Sequence, residues 1–339
     1  MSNKGIFVIS LDFELYWGMF DKVTLEQYGE NITGVHVVIP KILEIFRENQ
    51  IHATWASVGM LMSKNKQELL EACPPKELQP IYPDMHVSSY THIQNSTVGE
   101  NEDTDLHHFG ANLVEQVIAT PHQELGSHTF SHYYCLDGSK NGRAIFAADC
   151  KAFQKISQRF SAPITSIVFP RNQTTQDALT TCSQFGLTAY RGTPNHFLYT
   201  GKKESEQTNL FLRALRLVDT YINISGNHTY SFNTVNSTSS ELKNVQGSWF
   251  LRPYNHTLRV FETLKIRRIK NAMTYAAKNN EILHLWWHPH NFGINQERNL
   301  QNLLDITAHF KTLQNKYGMQ SMSMSEVATL ANGQNILST

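Results

Sequence analysis

The stretch FVISLDFELYWG, Phe7 to Gly18, decides how the chain is read. It begins as an unbroken apolar run, the pattern of a strand covered on both faces. It ends by placing two carboxylates, Asp12 and Glu14, one residue apart. Side chains alternate along a strand, so the two acids project from the same face, roughly 6.5 Å apart. Parallel α/β barrels gather their active sites at the C-terminal ends of their strands, which is where this pair falls. One carboxylate there can bind a metal while the other handles protons. The alternative is a strand that has run out into solvent.

Working outward, the apolar run 6–11 is the first of a series that recurs at 53–58, 123–126, 164–169, 187–190, 282–287 and 319–322. Helical patterns lie between them. In HVVIPKILEIFREN, Val38, Ile42, Ile45 and Phe46 share one helical face, and further helices are predicted over 142–160, 174–185, 257–278 and 296–315. SMSEVATL reads as a short helix capped by Ser323 or Ser325. Strand–helix alternation argues for an α/β fold with a parallel sheet. About seven strands in 339 residues favour a distorted (β/α) barrel, a single domain over 1–339, rather than two domains. Two polar stretches interrupt the alternation, 79–110 and 194–248. The second holds TGKKESEQTN and TYSFNTVNSTSSELKN and reads as a lid or substrate-binding insertion.

Composition narrows the function. The 29 basic and 29 acidic residues cancel, so net charge supplies no footprint for nucleic acid or an anionic membrane. No apolar run approaches the roughly 18 residues of a membrane span. The N-terminal apolar run is too short for a signal-peptide core and lacks a small-residue cleavage site. Cys73, Cys135, Cys150 and Cys182 are scattered without a CxxC pair, as in a reducing compartment, and the expected location is cytoplasmic. Asn-x-Ser/Thr occurs at Asn31, Asn95, Asn172, Asn223, Asn227, Asn236 and Asn255, which reads as chance in a chain rich in these residues.

Three further constellations accompany the acidic pair. ELGSHTFSH holds His128 and His132, four apart, directly after the 123–126 strand. With 16 histidines in the chain, roughly one such spacing arises by chance, so placement at a strand end carries the weight. Two imidazoles and one carboxylate with open positions form a catalytic-zinc ligand set. ILHLWWHPHNFG brings His288 to a strand end as a candidate general acid, with His284 and His290 as rivals on the same face. SIVFPRNQ places Arg171 after another strand, where it can pair with Asp12 and hold it ionised. All four constellations fall at one end of the predicted sheet.

These residues resemble the polysaccharide deacetylases of the NodB-homology group, carbohydrate esterase family 4. SLDFE resembles that family's acidic motif, SHTFSH its His-[Ser/Thr]-x-x-His motif, FPRNQ its arginine motif and LHLWWHP its late catalytic strand. The resemblance covers roughly residues 5–195 and 280–330. It implies a distorted barrel, a divalent metal (Zn2+ first, with Co2+, Ni2+ or Mn2+ as alternatives) and hydrolysis of an N-acetyl or O-acetyl group on a sugar. Carried over by position, Asp12 is the general base, Glu14, His128 and His132 are metal ligands, Arg171 orients the base and His288 is the general acid. A backbone N–H of Asn172 or Gln173 would complete the oxyanion hole, and Trp286, Trp287 and Tyr190 are candidates to stack on a sugar ring. The family's usual acidic motif has adjacent aspartates; here Phe13 separates Asp12 from a glutamate, which leaves the split between base and ligand open.

The expected activity is therefore a carbohydrate deacetylase, a hydrolase of non-peptide C–N bonds, in surface polysaccharide or glycoconjugate biosynthesis. Its expected substrate is an acetylated sugar, nucleotide- or lipid-linked, with no nucleic-acid partner and the oligomeric state left open. The alternatives are a related hydrolase of non-sugar C–N bonds and a catalytically dead carbohydrate-binding protein.

Overall fold

The computed structural model describes residues 4–136, 141–194, 196–199, 210–236 and 242–333. Strands are β1 (Ile6–Phe13), β2 (Ala53–Ser57), β3 (Gln123–Ser127), β4 (Ser166–Val168) and β5 (Ala189–Arg191). They continue with β6 (Tyr230–Ser231), β7 (Lys243–Asn244), β8 (Trp249–Phe250), β9 (Glu281–Trp287) and β10 (Gln320–Met322). β1 is central because every one of its residues is buried, so both of its edges and both faces find partners. It pairs in parallel with β9 on one side. On the other side β10 covers Ile6–Val8 and β2 covers Ile9–Phe13. The parallel order runs β9-β1-β2-β3-β4-β5.

The sheet curls until its margins meet across residues 243–250. β7 pairs with β5, and a few residues later β8 pairs with β9. Val245 and Gly247 donate to the carbonyls of Tyr190 and Gly192 at 2.9 and 3.0 Å, while Ser248 and Leu251 donate to those of His284 and Trp286 at 2.8 Å each. One stretch of chain thus begins on one margin and ends on the other, which gives the distorted (β/α) barrel its closure. The seven expected strands are all present. β6, antiparallel to β9, together with the two-residue strands β7 and β8, is additional. TGKKESEQTN lies outside the described residues.

The period-two rule divides β1 between two environments. Phe7, Ile9, Leu11 and Phe13 point outward into the main core, where Phe7 meets Phe310 of the helix Gln296–Tyr317 at 5.6 Å between ring centroids. Each such burial is worth about 1.5–3 kcal/mol. Ile6 and Val8 point inward, into a second cluster with Ala56, Val168, Ala189 and Val245. The helix Met324–Ala331 closes that end of the barrel: its Met324 and Val327 join the inner cluster, Met324 N–H donates to Thr54 Oγ1, and Ser323 forms a capping box with Glu326. Further along β1 the inward residues become Ser10 and then Asp12. The interior is therefore apolar at one end and polar at the other, and the polar end is the C-terminal mouth.

The helices Val35–Asn49, Gly142–Ser157, Gln176–Gln184, Glu262–Asn279 and Gln296–Tyr317 match the amphipathic segments of the sequence. No helix among the described residues is long and apolar enough to cross a membrane.

Burial pushes His284, inside the barrel, down to about 3, and pushes His92, stacked on Phe20, down to about 4. The unfolded chain binds protons near 6.5 that the folded one does not. Their contribution to stability is therefore full above that value and is lost as pH falls toward about 4. The thermal unfolding midpoint should drop steadily between pH 7 and pH 4; a midpoint that holds or rises there would contradict the burial of these two rings as neutral groups.

Candidate active site

β1 delivers Asp12 and Glu14 to the mouth, both buried. Glu14 stands one residue past the strand, ahead of a turn at Leu15–Gly18. Gly18 is required there: a Cβ at this position would lie 2.0 Å from Glu14 Oε2. The glycine leaves the hollow that the carboxylate fills.

β3 delivers the histidines through a compact loop. Thr129 and His132 take left-handed backbone, with φ of 62° and 56°. Such conformations persist only where the surroundings over-determine them. Here Asp149, from the helix Gly142–Ser157, accepts from the N–H groups of Phe130 and Ser131 at 2.7 and 3.0 Å, and Tyr133 N–H donates to Thr129 Oγ1 at 2.7 Å. The result aims two imidazoles at one oxygen. His128 Nε2 lies 3.0 Å and His132 Nε2 3.2 Å from Glu14 Oε1. His128 donates its Nδ1–H to the Val168 carbonyl at 2.8 Å, which leaves the Nε2 lone pair facing the carboxylate. His132 Nδ1 is hydrogen-bonded to the Tyr134 hydroxyl at 3.0 Å, and burial pushes this ring below the usual imidazole range. Burial alone would raise Glu14, yet the surrounding histidines hold it well below the usual carboxylate range. Two imidazole nitrogens and one carboxylate oxygen converge, with both ring orientations fixed from behind. These residues fit a divalent cation.

Asp12 is held differently from the sequence expectation. Arg191, the last residue of β5, donates from Nη1 to Asp12 Oδ1 and from Nη2 to Asp12 Oδ2, both at 2.7 Å. The same guanidinium reaches Ser10 Oγ at 2.9 Å and Asn172 Oδ1 at 3.2 Å. Ser10 in turn donates to His284 Nε2 at 2.8 Å, while His284 Nδ1–H donates to the Val245 carbonyl at 3.0 Å. Burial works against the charge on Asp12, and Arg191 more than offsets it, so its carboxyl sits below the ordinary range. Arg171 pairs instead with Asp21 and lies over the Tyr134 ring at 3.9 Å, behind the residue that orients His132. Its backbone φ of 54° turns it out of line with β4. The oxyanion expectation is also corrected, because the N–H groups of Asn172 and Gln173 are spent on the Phe169 and Pro170 carbonyls at 2.9 and 3.1 Å.

The three late histidines separate. His288 faces both acids, with Nε2 3.5 Å from Glu14 Oε1 and 3.7 Å from Asp12 Oδ2. His284 is sealed inside the barrel. His290 presents Nε2 to Glu14 Oε2 at 3.6 Å, steadied by the Tyr28 hydroxyl on Nδ1 at 3.0 Å. A cavity of about 470 Å³ opens over this cluster and reaches Trp286, whose ring lies 4.2 Å from the Arg191 guanidinium. Of the aromatic candidates Trp286 lines the cavity; Trp287 is fully buried in the outer core, and Tyr190 packs toward Phe169. Sequence reasoning missed Arg191 and Asp149. Arg191 carried one signal, its position immediately after the 187–190 strand.

A curled parallel barrel with carboxylates and histidines gathered at its C-terminal mouth defines a hydrolase class. Residues 19–190 match the family Polysaccharide deacetylase, half of the chain, and the protein belongs to that family and is a carbohydrate deacetylase. Among curated proteins, none matches the chain in sequence. Solved structures share the fold. A Mycobacterium smegmatis protein assigned as a polysaccharide deacetylase is 9% identical, with TM-score 0.59 and coverage of 100% of this chain and 96% of that one. A Pseudomonas aeruginosa PAO1 protein with the same assignment is 9% identical, with TM-score 0.52 and coverage of 96% and 90%. The 4-alpha-glucanotransferase of Thermococcus litoralis is 9% identical with TM-score 0.52, covering 97% of this chain and 40% of that one.

Removing Arg191 leaves a buried carboxylate without its counter-charge. Arg191→Met should cost about 3–5 kcal/mol in urea unfolding. Adding Asp12→Asn to the same chain should recover most of that loss, since the stranded charge is gone. Additive losses in the double variant would mean the pair is not coupled.

Proposed function

We propose that the chain is a metal-dependent deacetylase of an N- or O-acetylated sugar in surface polysaccharide or glycoconjugate biosynthesis, acting as one catalytic domain over 1–339. The observation that carries this reading is the convergence of His128 and His132 on one oxygen of Glu14, beside an Asp12 that Arg191 keeps ionised. Glu14, His128 and His132 would hold a divalent cation, Zn2+ first, with Co2+, Ni2+ or Mn2+ as alternatives. When bound it supplies Lewis-acid polarisation and an acidified water.

The chain's own groups supply the rest. Each Asp12 oxygen accepts one Arg191 hydrogen bond and keeps a second lone pair, so the carboxylate can take the proton of the attacking water. Arg191 fixes where that lone pair points. Burial holds the His288 ring down at about 4, so it starts neutral, and the proton that Asp12 takes from water passes to it across their 3.7 Å separation. His288 delivers that proton from Nε2 to the departing amine as the C–N bond breaks and acetate is released, which leaves Asp12 ionised and His288 neutral again. Trp286 offers a flat apolar face to the sugar ring. The described part of 194–248 forms one wall of the cavity through Pro194, Tyr199, Arg216 and Thr220, consistent with a substrate-binding insertion.

The test is acetate release from a panel of acetylated sugars, with metals re-added after chelation. Asp12→Asn should lower turnover by about 10²–10⁴-fold while bound metal is unchanged, whereas His128→Gln should lose the metal. Full activity in chelator would favour metal-free hydrolysis. Wild-type acetate release from Asp12→Asn would remove Asp12 as the base.

A further inference from the structure

The cavity is lined by two arginines that nothing in the deacetylation chemistry uses. Arg216, on the helix Leu210–Tyr221, and Arg252, just after β8, both line the cavity that holds Asp12, Glu14 and His288. Each spends its Nε on a neutral acceptor, Arg216 on the Leu198 carbonyl and Arg252 on Thr220 Oγ1 at 2.9 Å. Among the described residues their terminal nitrogens make no side-chain hydrogen bond or ion pair. Among the described residues neither has a carboxylate within ion-pair distance, whereas their neighbours Arg268 and Lys265 are paired with Asp219 and Glu262. Burial lowers Arg252 from its ordinary value, and the nearby charges of Arg216 and Arg213 push the same way. Half-buried like charges held together without a counter-ion are a standing cost that an anion in the cavity removes.

The surface beside these arginines is apolar. Phe211 and Ile222 are 69% and 60% exposed, and Val218 and Ile224 also face solvent. Val260 is 73% exposed, and the neighbouring Phe261 packs against Tyr221. This places an exposed apolar strip against a cationic face that turns inward to the cavity. That combination suits a helix lying in a membrane interface, with apolar side chains in the acyl region and cations at the headgroups. A nucleoside would have no use for such a strip.

The geometry points to a lipid-linked substrate: Arg216 and Arg252 bind the diphosphate of a prenyl-diphosphate-linked N-acetyl sugar, and the Leu210–Tyr221 helix rests its apolar strip on the bilayer that carries it. This rests on the deacetylase reading for the sugar end alone; the anion site stands on its own residues. Inorganic pyrophosphate is the direct probe. The wild-type protein should bind it by calorimetry, more weakly as salt rises, and Arg216→Gln with Arg252→Gln should weaken binding at least tenfold while the thermal midpoint holds. Undiminished pyrophosphate binding in the double variant overturns the anion site, whether or not acetate is ever released.

The lipid end is tested in two ways. The protein should sediment with vesicles of phosphatidylglycerol and phosphatidylcholine, and Phe211→Ser with Ile222→Ser should reduce that severalfold. Acetate release should show kcat/KM at least tenfold higher for a prenyl-diphosphate-linked N-acetylglucosamine than for the nucleoside-diphosphate-linked sugar, with the arginine changes acting mainly on KM. Equal turnover of the two linkages, or no vesicle binding, overturns the lipid assignment. Pyrophosphate binding with no acetate from any sugar overturns the deacetylase reading instead.

Discussion

The two hydrogen bonds from Arg191 to Asp12 tie β5 and β1 to the chemistry at the barrel mouth. A carboxylate this buried would be driven toward its neutral form, and a neutral Asp12 is no base. Arg191 reverses that, but only because β5 and β1 face each other across the closed interior. The closure depends on residues 243–250, whose backbone bonds both β5 and β9. Breaking it would strand a guanidinium and a carboxylate together. The polar layer of Ser10 and His284 beneath Asp12 follows from the same requirement: with Asp12 and Asn172, Ser10 occupies the terminal nitrogens of the buried Arg191 guanidinium, although its Nε has no partner among the described residues. His284 serves this layer with both ring nitrogens already bonded, to Ser10 and to the Val245 carbonyl, which keeps it from the proton transfer that the more open His288 can make.

Preorganisation at the histidine pair has a separate origin. The HTFSH loop bends through two left-handed residues, neither of them glycine. Asp149 holds the bend by accepting backbone N–H groups that the turn would otherwise leave buried and unpaired. Strain in the loop, the Val168 carbonyl behind His128 and the Tyr134 hydroxyl behind His132 together fix where both Nε2 atoms point. Arg171 belongs to this layer, since it supports Tyr134 from behind.

What could be read from the sequence divides along the same line. Strands such as Ile6–Phe13 and Glu281–Trp287, and the helices between, announce themselves through local periodicity. So do Asp12, Glu14, His128, His132 and His288, because each ends or follows a strand. Arg191 and Arg171 both follow strands too, and local pattern cannot choose between them. The choice is made by a left-handed turn at Arg171 and by the inward direction of β5, and both are consequences of tertiary pairing. β7 and β8 were invisible for a related reason. Two-residue strands around Gly247 have no period to detect and exist only because two sheet margins stand close enough to share one segment. Asp149 was hidden within an amphipathic helix, where a lone acid reads as a solvated position.

Charge gives the sharpest case of information lost in averaging. Balanced totals of acidic and basic residues make the chain look electrostatically featureless. In the fold the inner acids are committed: Asp12 to Arg191, Glu14 to histidines. Among the described residues Arg216 and Arg252, like Lys22, line the cavity without an ion-pair partner. A substrate in this cavity therefore meets both the cations and the carboxylates. An anionic group borne on the acetylated sugar would be held by the arginines, and its length would set how far the acetyl group travels. Binding energy gained far from the scissile bond would then position that bond, which is how a remote subsite contributes to turnover.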